Sequence, residues 1–347
     1  MRTPVDRSQL ALLPVDELAT SAAPERWHSD LVALGTHCRH GAWVVSGQRQ
    51  VAAALACPAM STAAAGDRDG PAADLLARMA RFSDGPDHRR RRDLVTRLLP
   101  PVAEVARAAG ARANDHLRRR TAAFDVMPMA RLLPAEVLAR ALGFAPDAAD
   151  RAAILTGQLC DALAPALAPR PVPASAADAV AAELSGLAAD RFGRDGERIA
   201  AVISVLFQAR DATAGLIGLT ILTGTGTGGG RDGLAPGLRV EQVLRHDAPV
   251  QCTRRTAMAD AAIGDVIVPA GAPVWIFVAA AERGSGMPAT FGSGPHACPG
   301  AAHAAAIARP VVTVLEADGW RPAAGQRIEF EPRPNIRVPA RVLVTRR

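Results

Sequence analysis

Lysine and tyrosine are both missing from the 347 residues, so each of the 40 fixed positive side chains is an arginine. Aromatic residues make up only 3%, too few for the stacking platforms on which proteins hold single-stranded nucleic acid. Cysteine is sparse. The 5 thiols are scattered and odd in number, which excludes a small disulfide scaffold and points to a reducing cytoplasm. Unbroken apolar runs such as Val274–Ala281 and Ala304–Ile307 fall well short of the roughly 18 residues of a membrane span. The N-terminal Met1-Arg2-Thr3-Pro4-Val5-Asp6 lacks the apolar core of a signal peptide.

What is present is a globular composition: 49% hydrophobic, 21% charged, net charge +6. That is enough apolar material for a sizeable core in one large domain. Trp43-Val44-Val45 reads as a strand, followed by a helix over Gln48–Leu55 that Pro58 ends. Asp74 is placed to cap a helix with Leu75, Leu76, Met79 and Phe82 on one face. A turn at Asp84-Gly85-Pro86 precedes a helix over His88–Leu99, apolar on one stripe and arginine-rich elsewhere. Residues 102–192 are alanine-rich and mostly helical, interrupted by a proline-rich loop at Ala164–Pro173. A long helix begins near Glu197 and breaks at Gly224–Gly230. Beyond it come a short helix at Val240–Arg245, a hairpin turning at Pro269-Ala270-Gly271, a glycine-rich loop at Phe291–Gly300, a helix from Ala301 to about Leu315, and short C-terminal strands.

Two runs invite over-reading. Gly224-Thr225-Gly226-Thr227-Gly228-Gly229 fits GxGxxG, but a dinucleotide site needs a strand before it and a helix after it. A helix precedes it here, so it reads as a flexible connection. Arg89-Arg90-Arg91-Arg92 spreads around a helix axis, which makes a solvated face the default over a nucleic-acid patch.

The informative stretch is Phe291-Gly292-Ser293-Gly294-Pro295-His296-Ala297-Cys298-Pro299-Gly300, of the form F-x-x-G-x-x-x-C-x-G. A cysteine in a glycine-rich loop before a helix is stabilised as thiolate by the helix N-terminus, and a thiolate can ligate haem iron. This loop resembles the haem-binding signature of the cytochromes P-450. Further motifs follow in the family's order. Asp87–Val95 is similar to its C-helix, Asp211–Gly218 to the middle of its I-helix, and Val240–Val250 to its K-helix and exit, followed by Arg255.

The resemblance implies a mainly α fold with small β-sheets, a trigonal prism of helices around a buried haem. It would form one domain over 1–347, with β-rich parts mainly at 40–60, 250–280 and the C-terminal strands. It implies haem b with Cys298 on the iron. His88, Arg92, Arg255 and His296 would serve the propionates, and Phe291, Gly294 and Gly300 would shape the loop. The partners it implies are a small-molecule substrate and a ferredoxin or flavoprotein electron donor in the cytoplasm, with no nucleic acid and no membrane.

Four departures from the family stand out. Only residues 284–290 separate Arg283 from Phe291, where the family has a long meander. The K-helix Glu-x-x-Arg becomes Gln242 and Arg245, with Glu241 one residue early and about 100° away on a helix. In the I-helix the acid is Asp211, but the alcohol that normally follows is Ala212, with Thr213 next and facing elsewhere. Finally, Arg210 precedes the acid and Ala209 replaces the usual glycine. A buried arginine there needs an anion, which Asp211 could provide.

The sequence therefore supports a haem-thiolate oxidoreductase that tailors a small molecule, for example by hydroxylation in secondary metabolism. A peroxide-using or non-monooxygenase haem enzyme accommodates the damaged acid–alcohol pair. A haem-free P-450-like partner of another enzyme, such as a glycosyltransferase, accommodates the truncation but not the retained cysteine and cationic residues.

Overall fold

A computed structural model describes Val15 and residues 25–63, 69–163, 174–225, 234–282, 289–333 and 335–346. In chain order these form α1 (Glu25–Leu34), β1 (His37–Arg39), β2 (Ala42–Val45), α2 (Gln48–Ala56), β3 (Met60–Ser61) and α3 (Pro71–Ala77). After a 3-10 turn at Ala80–Phe82 come α4 (Gly85–Leu98), α5 (Val102–Leu117), β4 (Phe124–Asp125), α6 (Met127–Ala141), α7 (Pro146–Ala162), α8 (Ala174–Phe192) and α9 (Gly196–Leu222). The remainder is α10 (Pro236–His246), β5 (Thr253–Ala257), β6 (Ala261–Ile263), β7 (Val266–Val268), β8 (Pro273–Ile276), α11 (Val278–Glu282), α12 (Ala301–Ala317), β9 (Trp320–Pro322) and β10 (Leu343–Arg346). The architecture is mainly helical with small sheets, as the sequence implied.

The chain divides into two compact units. The first comprises Met1–Ala63, Leu244–Cys298 and Pro332–Arg337; the second comprises Ala64–Val243, Pro299–Glu331 and Val338–Arg347. The first unit is built on a five-stranded sheet of order β1-β2-β8-β5-β3. Its β2 and β8 run parallel, pairing Trp43 with Val274 and Val45 with Ile276. Val45, Val274 and Ile276 pack in one apolar cluster, while Val44, Trp275 and Phe277 pack in another. Alternate residues of a strand point to opposite faces, so a strand with both faces covered is apolar without alternation.

That pairing corrects the hairpin. β6 pairs with β7, Ile263 opposite Val266, and the turn is Gly264-Asp265, with Gly264 at φ +63°. Pro269-Ala270-Gly271 instead carries the chain from β7 to β8. The sequence pattern could not tell a strand pairing with its neighbour from one pairing with distant β2 and β5.

The second unit packs helices and a small sheet of order β4-β10-β9. Helix α5 buries Val105, Ala109, Ala113 and Leu117, spaced four apart and therefore on one face. Gly110 faces α12 closely: a Cβ built there would lie 3.5 Å from Pro310 Cβ. Two boundaries differ from expectation. Gly70 precedes α3 and Asp74 lies in its first turn, so Asp74 is no cap, and Met79 and Phe82 lie beyond the helix. Asp84 occupies the N-cap position of α4, whose first turn absorbs Gly85 and Pro86; proline is tolerated there because the first N–H groups have no partner.

Helix α9 is buried all round over Ala200–Leu206 and again over Thr213–Ile221, but Phe207, Gln208, Ala209, Asp211 and Ala212 are half-buried. Asp195 caps its start, its carboxylate accepting from Arg198 N at 2.8 Å. By length and composition, Gly196–Leu222 and Gly294–Ala317 could each cross a membrane. The sequence expectation rested on unbroken apolar runs, which Arg210 and Asp211 interrupt in the first span. That span's apolar window is mostly packed inside the fold, as befits a core helix. The loop at Ala164–Pro173, the run Gly226–Gly230 and most of the shortened meander, 284–288, lie outside the described residues.

Candidate functional site

The first unit holds the glycine-rich loop. Gly292 and Gly294 both adopt left-handed φ, +69° and +68°. A Cβ on Gly294 would lie 3.2 Å from Leu55 O and 3.3 Å from Ala56 Cα. Gly294 therefore serves two needs, backbone freedom and close approach to the end of α2. A 3-10 turn at Gly294–His296 follows, and Cys298 N donates to Phe291 O at 2.7 Å. This bond closes the loop and leaves the Cys298 side chain exposed. Gly300 then caps the 17-residue α12, whose free N–H groups favour negative charge.

The other thiols contrast with it. Cys252 is fully buried, and burial pushes its thiol up to about 12. Cys160 is buried with Sγ 3.8 Å from Phe207 O. In the same unit as Cys298, Arg255 on β5 donates to Thr253 Oγ1 and to Arg254 O, both at 2.7 Å. His296 is half-buried.

The second unit holds the remaining candidates. On α4, His88 is buried and Arg92, one helical turn on, is half-buried. Burial lowers the His88 pKa, as do Arg92 and Arg89, while Asp84 works the other way. A buried imidazole beside two guanidinium groups is a place where an anion would relieve the repulsion. The neighbouring arginines are committed elsewhere. Arg90 donates to Asp87 Oδ1 at 2.8 Å and grips Glu197 through Nε and Nη2 at 2.9 and 2.5 Å. Arg91 reaches Glu197 at 3.1 Å and Ala77 O at 2.7 Å. Hydrogen bonds from Arg90, then Arg91, bring the Glu197 carboxyl down to about 2 against its partial desolvation.

On α9, Arg210 is 7% exposed. Its Nη1 donates to Asp211 Oδ1 at 2.7 Å and to Asp161 Oδ1 at 3.1 Å, and its Nη2 to Asp161 Oδ2 at 3.3 Å. Room for this fork comes from Gly157 on α7, where a Cβ would sit 3.3 Å from Arg210 Nε. Asp161 and Gly157 are neighbours of Arg210 that sequence reasoning missed, because Asp161 is 49 residues from Arg210 and only the packing of α7 on α9 brings them together. Ala212 lies on the half-buried stretch of α9, whereas Thr213 is buried at 2%. On α10, Glu241 pairs with Arg309 of α12 at 2.8 Å on the surface. Gln242 is half-buried and Arg245 exposed. The buried ion pair of this helix is one the sequence did not suggest, Arg239 with Glu316 of α12.

No protein-family profile and no curated protein sequence matches the chain. Solved structures do. CalO2 superposes with TM-score 0.78 at 20% identity, covering 94% of this chain and 98% of that one. The P-450 heme domain of Tepidiphilus thermophilus gives 0.76 at 17%, covering 97% of each chain. P-450BioI, in complex with acyl carrier protein ligated to hexadec-9Z-enoic acid, gives 0.75 at 18%, covering 96% of this chain and 100% of that one. With both chains covered nearly end to end and helices and sheets in the order the motifs implied, the chain has the cytochrome P-450 fold.

Proposed function

We propose that the chain is a haem-thiolate oxidoreductase acting on a small molecule. One observation carries the reading: in a chain of this fold, the exposed Cys298 thiol stands in a loop closed by its own N–H on Phe291 O, ahead of α12. The residues fit haem b. Cys298 would be the iron ligand, held as thiolate by the N-terminal end of α12. His88, Arg92, Arg255 and His296 would pair with the propionates, whose burial requires cationic partners. Gly294 keeps the loop against α2, and Phe291 anchors it through its carbonyl. When bound, the haem supplies one-electron redox chemistry and activation of dioxygen or peroxide.

The half-buried stretch of α9 from Phe207 to Ala212 would face the substrate. On it, Asp211 is the acid of the proton route, but Arg210 holds its carboxylate, and Ala212 has no group to donate or accept a hydrogen bond. That arrangement favours a second reading of the same site, use of hydrogen peroxide in place of dioxygen and an electron donor. The absorption spectrum of purified protein, reduced under carbon monoxide, tests haem and thiolate ligation together. A band shift typical of thiolate ligation is expected, and a colourless protein would overturn the reading in favour of a haem-free partner role. Turnover with peroxide alone, against turnover with a ferredoxin or flavoprotein donor, separates the two haem readings.

A further inference from the structure

A cavity of about 520 Å³ lies on α5 and just beyond its C-terminal end, lined by Arg112, Asp115, His116, Arg119 and Arg120. Residues 112, 115 and 116 are spaced i, i+3 and i+4, so they share one face of the helix, and Arg119 and Arg120 follow in the turn beyond its end. Every lining side chain is ionisable. Apart from the imidazole, the lining carries three guanidinium groups and one carboxylate, and the Glu136 carboxylate beneath leaves one positive charge in excess.

The wall is fixed from beneath. Glu136 of α6 is 1% exposed. Its carboxylate accepts from Arg112 Nε at 2.5 Å and bonds His116 Nε2 at 3.1 Å, while Arg140 approaches it at 3.6 Å and is itself held by Asp150 at 2.6 Å. Asp115 holds Arg112 from the rim at 2.9 Å. Arg112 and His116 are thus oriented by a buried carboxylate, which removes ordering cost from any ligand they bind. The two others are differently placed. Arg120 lies over the Phe124 ring at 5.0 Å, and Arg119 has no charged or hydrogen-bonding partner among the described residues.

We propose that this cavity is a binding site for a small phosphate-bearing anion. Its volume is in the range of small-molecule sites, and a lining made up entirely of ionisable side chains selects a charged ligand. Guanidinium forks match the geometry of phosphate oxygens. Asp115 and the carbonyl end of α5 oppose an anion, and the arginines outnumber them. A lipid headgroup would bring acyl chains to the rim. The one large apolar side chain exposed on α5, Val102, is at the helix's opposite end, so the ligand is a soluble one. The site is independent of the haem reading.

The test is calorimetric titration of the purified full chain with pyrophosphate at low ionic strength. The Arg119→Gln/Arg120→Gln variant leaves the Glu136 cluster intact. It should bind roughly tenfold or more weakly, because charge-assisted hydrogen bonds are lost. An Arg327→Gln/Arg341→Gln control removes the same charge from two exposed positions elsewhere in the second unit and should bind like wild type. Absence of binding to wild type at millimolar pyrophosphate, equal affinity in the 119/120 variant, or an equal loss in the control would each overturn the proposal. Unfolding midpoints of all three proteins identify a variant that fails to fold; in that case Arg119→Gln alone replaces it, judged by the same outcomes.

Discussion

Arg210 and Asp211, adjacent on α9, are joined side chain to side chain at 2.7 Å, with Asp161 of α7 closing the guanidinium's other side. An arginine that would be costly to bury alone is thereby neutralised, and the acid of the proposed proton route is occupied. Removing the guanidinium should release Asp211 from this bond. In Arg210→Gln, product formed per reducing equivalent should rise in donor-driven turnover, and Ala212→Thr should add to it by restoring an alcohol. With peroxide as oxidant, both substitutions should change the yield little. Tight coupling in the wild-type protein would contradict the argument.

Cys298→Ala should abolish the thiolate-type spectrum and all activity, while Cys252→Ala keeps both. The contrast follows from placement. Cys298 is exposed ahead of a helix N-terminus, whereas burial pushes Cys252 up to about 12 and keeps it a neutral thiol. Cys38, Cys57 and Cys160 should likewise be replaceable. Absorption spectra of the five single variants check this, and a persistent thiolate band in Cys298→Ala would refute the ligand assignment.

Glu136 contributes stability that depends on pH. Burial raises its pKa, but bonds from His116 and Arg112 outweigh burial, and the net shift is downward. A carboxylate with a folded pKa below its unfolded value of about 4.3 stabilises the fold above that pH. That contribution is lost as pH falls through the folded pKa. Glu136→Gln should cost about 1–3 kcal/mol at neutral pH, because it weakens charge-assisted bonds to the half-buried Arg112 and His116. The gap in unfolding midpoint between variant and wild type should narrow below pH about 4.

On the proposed function, the arginine-rich face of α4, with Arg89, Arg90 and Arg97, would dock an acidic electron donor. Arg90 is held by Glu197 and Asp87 within the fold, so the docking charge falls to the exposed Arg89 and Arg97. Substituting these two with Gln should slow electron transfer and flatten its dependence on ionic strength. Arg90→Gln should instead loosen α4 from the start of α9. Stopped-flow reduction across a salt series separates the two effects.

Gly110→Ala should stabilise the protein by about 0.5–1 kcal/mol, since alanine is the better helix former. The added Cβ would meet Pro310 at 3.5 Å, an ordinary contact distance. A lowered unfolding midpoint would show that the α5–α12 contact does not tolerate the methyl group.

Much of this protein was determined by local sequence. F-x-x-G-x-x-x-C-x-G placed a glycine-supported cysteine before a helix, and the fold followed from ordered motifs, because backbone freedom, capping and helical periodicity act over a few residues. The helix over 196–222 and the strand at Trp43–Val45 were legible for the same reason. Tertiary structure decided what depends on distant partners. It gave β8 to β2 and β5 rather than to β7. It turned Arg210 to Asp161, and Arg90 to Glu197. It buried Glu136 under Arg112 and His116 of another helix. Charge pairing and strand pairing are set by which surfaces pack together, and residues 49 or 107 positions apart carry no mark of each other in the sequence.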